Sequence, residues 1–362
     1  MEEVETNIVR LPQMVENLPS AERKLFHRIF HLSSTTGYLN PPHSMHPWIE
    51  GYFGSVEAVR SQRMVKVTNL ITMEGALFNQ LRASRPMEVK EGGDLKEIIM
   101  GNVGDPFCKP TEGTPEDVFG RLKGEHSITA SNVAKYDGFH GLVIFDEHDP
   151  LSFTLEGVSD ALDTALGWFQ AAHRQDGQAR YPFFMWNCLW KSGASILHGH
   201  AQMTLTRDMH YAKVEGLRRA ALGYQERYGS NYFEDLYQVH QVLGLAFERG
   251  DVRVVVYLTP IKEKETLLIA ERVDDGLKEA IFLTLQCFTQ RLGVSSFNLA
   301  IYLPPLAPVD EDWTGFPVLA RLVDRGDPMV DTADFGAMEL YAASVVASDP
   351  FRVVETLRQC LA

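Results

Sequence analysis

The stretch from Asn187 to Gln202 concentrates reactive side chains: Asn187, Gly193, Ser195, His198, His200 and Gln202, ending in His-Gly-His-Ala-Gln. An imidazole is neutral near pH 7, nucleophilic toward phosphorus, and a good leaving group once protonated or displaced by another phosphate. A side-chain amide such as that of Gln202 donates to a phosphoryl oxygen without adding charge. The residues from His198 onward alternate with small ones and run into Met203-Thr-Leu-Thr206, a period of two that predicts a β-strand. Residues two apart on a strand share a face, so His198, His200 and Gln202 are expected to project together. Ser192-Gly193-Ala-Ser195 predicts a tight turn, with backbone amides and the Ser195 hydroxyl holding an anion beside the imidazoles. Alone, His-x-His reads equally as a satisfied polar strand face or half a metal site. The company of Asn187, Gly193, Ser195 and Gln202 favours chemistry at phosphorus.

The elements that must position this stretch follow from periodicity. Residues 1–52 read as a helical N-terminal extension, with a helix start at Ser20 and helical spacing of Leu25, Phe26, Ile29 and Phe30. Asn40-Pro-Pro-His43-Ser-Met-His46-Pro breaks it, and His43 and His46 read as loop histidines. Residues 53–206 form a first half. Its strands are expected near Met64–Val67, Leu70–Leu77, Ser127–Asn132, Phe139–Phe145 and Tyr181–Cys188, with an amphipathic helix over Thr154–Ala172. Residues 207–362 form a second half: helices over 211–248, strands at Val252–Tyr257, Thr266–Ala270 and Phe297–Leu303, and a helix over Leu277–Leu292. Residues 310–334 read as loop, and Met338–Val346 and Asp349–Leu361 as helices. Strand, strand, helix, strand thus occurs twice. This predicts an α+β fold of two halves related by a pseudo-twofold, with antiparallel sheets and packed helices. The second copy offers no His-x-His, so one chemical centre is expected, with the other half shaping the substrate.

Composition narrows the partners. A net charge of −14 argues against nucleic acid, whose phosphate backbone needs basic surface. No apolar run reaches the ~18 residues that a membrane-spanning helix needs, and the acidic N-terminus lacks a signal-peptide core. Cys108, Cys188, Cys287 and Cys360 show no disulfide rhythm, so reduced thiols in a cytoplasmic protein are expected. Arg82 and Arg85, three apart before Pro86, read as a grip on phosphate or base, or as a solvated basic loop. His148 ends a buried strand. Ser195 lacks the Gly-x-Ser-x-Gly elbow of a serine hydrolase.

Taken in order, these motifs resemble the galactose-1-phosphate uridylyltransferase family of the histidine-triad superfamily. Arg82-Ala-Ser-Arg85-Pro86 resembles the family's Arg-Ala-x-Arg-Pro, and Asp105-Pro-Phe-Cys108 its Cys-x-x-Cys with the first cysteine replaced. Asn132, His148 and the set Asn187, Gly193, Ser195, His198, His200 and Gln202 fall at the family's later signature positions. The resemblance implies His200 as a nucleophile that forms a covalent nucleotidyl-histidine, its far nitrogen held by a backbone carbonyl. Gln202, Ser195 and Asn187 would contact the transferred phosphoryl group, with Arg82, Arg85, Asn132 and Gly193 at the nucleotide and His198 beside the nucleophile. It further implies a structural zinc held by Asp105, Cys108, His148 and His198, and pairing of two copies. The substrates it implies are a nucleotide sugar or dinucleotide, with a sugar phosphate or inorganic phosphate as acceptor; a related phosphorylase or hydrolase, or a non-enzymatic nucleotide-binding protein, are the competing readings. Three departures bear on specificity: Val133 replaces an acidic ribose reader, Gly199 replaces a proline, and Asp334-Phe335-Gly-Ala-Met-Glu339 only faintly echoes the hexose-reading segment.

Overall fold

The computed structural model describes residues 6–83 and 93–361. Thirteen strands occur among them: β1 (Phe30–Tyr38), β2 (Ser61–Asn69), β3 (Gly75–Asn79), β4 (Ser127–Ser131), β5 (Phe139–Phe145), β6 (Ala179–Asn187), β7 (His200–Arg207), β8 (Ala246–Arg249), β9 (Val252–Val256), β10 (Glu263–Ala270), β11 (Phe297–Tyr302), β12 (Val318–Asp324) and β13 (Ser344–Val346). The helices that matter for the site are α1 (Ser20–Ile29), α2 (Leu155–Gln175), α3 (Tyr232–Val242), α4 (Asp275–Gln290) and α5 (Pro350–Leu361).

Nine strands form one sheet in the order β4-β5-β7-β6-β11-β12-β10-β9-β8. Up to β9 this order is a palindrome: β4-β5-β7-β6 meets its counterpart β9-β10-β12-β11 edge to edge at the β6–β11 seam. The registers agree as well. Ile144 pairs with His200 and Leu142 with Gln202 in the first half; Ile269 pairs with Leu319 and Leu267 with Arg321 in the second. The α+β fold with two related halves is therefore present, built as one continuous antiparallel sheet.

Alternation along β7 divides its side chains. Ala201, Met203 and Leu205 join a core with Val143 and with Ala161, Ala165, Trp168 and Phe169 of α2. Each large apolar side chain so buried contributes roughly 1.5–3 kcal/mol. Packing here is tight: a Cβ on Gly141 would lie 2.5 Å from the Trp168 ring. The even-numbered residues of β7, His200 and Gln202 first among them, face away from α2, where Leu142 and Ile144 cluster with Phe107 and Ala130.

Four expectations need correction. Phe30–Tyr38 is a strand within the segment read as helical, because its Ser- and Thr-rich run pairs along its whole length with β2. Leu70–Glu74 is the turn between β2 and β3; Asn69 Oδ1 accepts from the amides of Ile71 and Thr72, so the second strand starts only at Gly75. β12 lies inside the stretch read as loop, and β13 inside one read as helix, where it runs parallel to β3. β12 is buried on both faces and carries no clean alternation to betray it. With β1, β2 and β3, β13 makes a separate four-stranded sheet.

Candidate active site

β7 begins at His200, so its face carries His200 and Gln202, while His198 lies two residues outside in the preceding bend. His200 is only 6% exposed. Its Nδ1 donates to the His198 carbonyl at 2.8 Å, which leaves Nε2 unprotonated, and Nε2 has no hydrogen-bond partner among the described residues. Burial pushes the imidazole below its ordinary value, the carbonyl contact opposing this, so it is neutral at pH 7. The Phe107 ring meets it edge-on at 5.0 Å.

Gln202 is oriented by a residue that sequence reasoning passed over. His140 Nδ1 accepts from the Tyr136 backbone N–H at 3.1 Å. Its proton is therefore on Nε2, which donates to Gln202 Oε1 at 2.9 Å. Desolvation keeps His140 neutral. With its oxygen engaged, Gln202 has its NH₂ left as a donor. Asn132, directly after β4, packs beside this pair, its Nδ2 3.2 Å from His140 Nε2 and its backbone N–H on the His140 carbonyl. Neighbouring Val133 is 84% exposed.

Asn187 ends β6, and the pairing of Met185 with Gln202 puts both strands' polar residues on one face. Asn187 Oδ1 accepts from Asn298 Nδ2 of β11 at 2.7 Å, across the seam between the halves. Gly193 takes φ = +103°, as the tight turn demands. The expectation that this turn's amides hold an anion is corrected. The N–H groups of Ser192, Gly193 and Ala194 are spent on the carbonyls of Leu189 and Trp190. Ser195 remains exposed beside them. Gly199 donates its N–H to the His148 carbonyl at 3.0 Å, a bond proline could not make, and a Cβ there would meet Glu147 O at 2.9 Å.

Asp105, Cys108, His148 and His198, far apart in sequence, converge: one ligand atom from each lies within 4.8 Å of the others. His148 Nε2 lies 2.9 Å from Ile99 O, and His198 Nε2 lies 2.7 Å from Phe145 O. Carbonyls only accept, so both Nε2 atoms carry the protons and both Nδ1 atoms present lone pairs, 3.1 Å apart. The Cys108 Sγ sits 3.4 and 3.5 Å from them. Asp105 Oδ1 caps the turn at Pro106–Cys108, while its buried Oδ2 accepts no hydrogen bond among the described residues and lies 3.9 Å from His148 Nδ1. Two Nδ1 lone pairs 3.1 Å apart repel unless a proton or a cation stands between them, and the Cys108 sulfur and the Asp105 carboxylate lie within reach of the same point. The group fits a metal ion.

Arg82 is exposed at the end of a single helical turn directly after β3, on the small sheet rather than on the strands bearing His200. Arg85 lies outside the described residues. His43 and His46 were expected in a loop; instead His43 opens a single 3-10 turn and His46 the helix His46–Phe53, their rings 4.7 Å apart and tilted by 54°. No helix among the described residues is long and apolar enough to cross a membrane.

Known structures share this architecture. An ADP-glucose phosphorylase from Arabidopsis thaliana with bound ADP-glucose has a TM-score of 0.60 at 17% identity, over 80% of this chain and 96% of that one. A GalT-like protein from the same plant has a TM-score of 0.57 at 17% identity, over 72% of this chain and 93% of that one. A uridylyltransferase has a TM-score of 0.55 at 16% identity, over 81% and 97%. No family model and no curated protein matches the chain. The likeness is one of fold, and at that level the resemblance carried by Asn187 to Gln202 holds: this chain has the fold of the galactose-1-phosphate uridylyltransferase-like proteins.

Proposed function

We propose that this chain is a nucleotidyltransferase working through a covalent nucleotidyl-histidine on His200. The observation that carries the reading is a neutral imidazole whose Nδ1–H is tied to a carbonyl, with Nε2 free on a strand face shared with two oriented amides. In the first step His200 Nε2 bonds to the α-phosphorus of a nucleoside diphosphate sugar or dinucleotide, and the bond from that phosphorus to the bridging oxygen breaks, releasing a sugar phosphate or nucleotide. In the second step an acceptor phosphate oxygen attacks the same phosphorus and the P–N bond breaks. The NH₂ groups of Gln202 and Asn187, with the Ser195 hydroxyl, donate to phosphoryl oxygens as charge builds. His198 supplies the carbonyl that fixes the His200 tautomer. The small-residue turn at Gly193, together with Asn132, Arg82 and Arg85, serves the nucleotide. Residues 53–206 carry the chemistry and residues 207–362 shape the substrate.

Zinc is the metal this reading assigns to Asp105, Cys108, His148 and His198, a donor set of two nitrogens, one sulfur and one oxygen that suits a closed tetrahedral site. It would tie the Pro106–Cys108 turn, and with it Phe107, to the bend before His200. Metal analysis of purified protein should give one equivalent of zinc, and Cys108→Ala should lower it.

The A. thaliana ADP-glucose phosphorylase makes ADP-glucose the first donor to try, and inorganic phosphate the first acceptor. UDP-glucose with galactose 1-phosphate is the second pair. Without acceptor, the enzyme should release glucose 1-phosphate in an amount equal to the enzyme present. Added acceptor should convert this burst to turnover. A sugar nucleotide that raises the melting temperature yet releases no sugar phosphate would instead make the chain a nucleotide-binding protein.

A further inference from the structure

The seam between the halves holds a chain of hydrogen bonds that ends at Asn187. Arg325, just past β12, has its Nε and Nη2 on the Asp334 carboxylate at 2.7 and 3.1 Å. Its Nη1 donates to Asn298 Oδ1 and, at 3.5 Å, to the Ser192 carbonyl. Asn298 Nδ2 donates to Ser192 O at 3.0 Å and to Asn187 Oδ1 at 2.7 Å. Asn298 cannot turn over, because a guanidinium only donates and a carbonyl only accepts, so its oxygen must face Arg325 and its NH₂ must face Ser192 O. Asn187 is then forced to present its oxygen to Asn298 and its NH₂ away from it. His140 imposes the same choice on Gln202 from the other side.

We infer that Asn298, locked by Arg325, is a positioning residue of the second half that holds the Asn187 amide in its donor orientation toward the phosphoryl group on His200. The inference rests on the reading of His200 as nucleophile. It gives the second half a defined part in the chemistry: the two residues that set the donor belong to β11 and to the segment after β12.

The test is Asn298→Asp. The shape is kept and the contact to Arg325 becomes an ion pair, but the group facing Asn187 is now an acceptor. Asn187 must turn its NH₂ to Asp and its oxygen to the phosphoryl group. Rapid-quench labelling with ADP-glucose, UDP-glucose and diadenosine tetraphosphate measures the rate of adduct formation on His200. Asn298→Asp should slow labelling roughly tenfold to a hundredfold, less than the about 10²–10³-fold that removing an oriented donor outright costs, because Asn187 itself remains. KM should move less than about twofold, since the donor acts on charge that develops in the transition state, while the carboxylate oxygen now facing Ser192 O lowers the melting temperature. Arg325→Gln, which frees Asn298 to turn, should give a smaller loss of kcat. Wild-type labelling rates in a folded Asn298→Asp protein, or, should it not fold, in Arg325→Gln, would overturn the inference. A wild-type protein that never labels would overturn the nucleophile reading instead.

Discussion

At matching ladder positions the first half presents His200 and Gln202, and the second presents Leu319 and Arg321. The flanking strands match in the same way. Asn132 donates its backbone N–H to the His140 carbonyl, and Tyr257 donates its own to the Glu265 carbonyl. The side chains then diverge. In the first half a neutral His140–Gln202 pair leaves an amide donor free. In the second, Arg321 is buried between Glu265 at 2.7 Å and Glu74 at 2.9 Å, and Tyr257 hydroxyl donates to Glu74 at 2.8 Å. Glu74 comes from the β2–β3 turn of the small sheet. One scaffold thus shows two uses of one polar position. In the second half an internal carboxylate meets a fixed cation; in the first, where we propose that a substrate binds, the donors are neutral and their partners hold only the carbonyl end. Neutral donors stabilise charge as it passes without trapping a charged product.

Removing the nucleophile should break this comparison most severely. His200→Ala is expected to abolish the adduct and cut turnover by on the order of 10⁴-fold. The reciprocal change, Leu319→His, should create no second labelled site, because Glu74 and Arg321 fill the matching face; peptide mapping after exposure to donor would decide this. Arg321→Leu should cost about 3–5 kcal/mol, since it strands the buried Glu265 carboxylate, which burial already pushes up. Denaturant melts would show that loss, while the folded fraction should still label at His200.

Gln202→Glu keeps the shape and removes the donor; a loss of roughly 10²-fold in labelling rate is expected, with melting little changed. The smallest effect is acid sensitivity from the second half. His240 of α3 is tied through Nδ1 to Leu236 O, accepts from Leu258 N–H through Nε2, and is pushed by burial down to about 4. Unfolded, it returns to its ordinary value near 6.5. Between those values the unfolded chain holds the extra proton, so stability is full above pH 6.5 and falls as pH drops towards 4. His240→Gln should flatten melting temperature against pH across that window.

How far the site was legible in the sequence follows from which contacts are local. His200 and Gln202 announce themselves through a two-residue period in one strand. The candidate metal group does not, because Asp105–Cys108, His148 and His198 meet only after the sheet forms; the resemblance assembled them, and the geometry then supplied the unbonded Oδ2 and the facing Nδ1 atoms. His140 and Asn298 were missed, though each is a lone polar residue in an otherwise apolar strand, Phe-His-Gly-Leu-Val-Ile-Phe and Phe-Asn-Leu-Ala-Ile-Tyr. That is a usable signal, since a buried polar group needs a partner. Arg325 follows a strand buried on both faces that reads as a short apolar run within a glycine- and proline-punctuated stretch. The amphipathic helix α2 was clear from its helical period, and strand β5 from a compact apolar run bounded by polar residues.

Mass spectrometry of the acid-quenched protein after exposure to ADP-glucose or UDP-glucose, followed by peptide mapping, tests the central claim most directly. A nucleoside monophosphate adduct on the peptide carrying His200, absent from His200→Ala and discharged by inorganic phosphate or a sugar phosphate, is the predicted result. A protein that turns over these donors with no such adduct, or with the label on another residue, would contradict it.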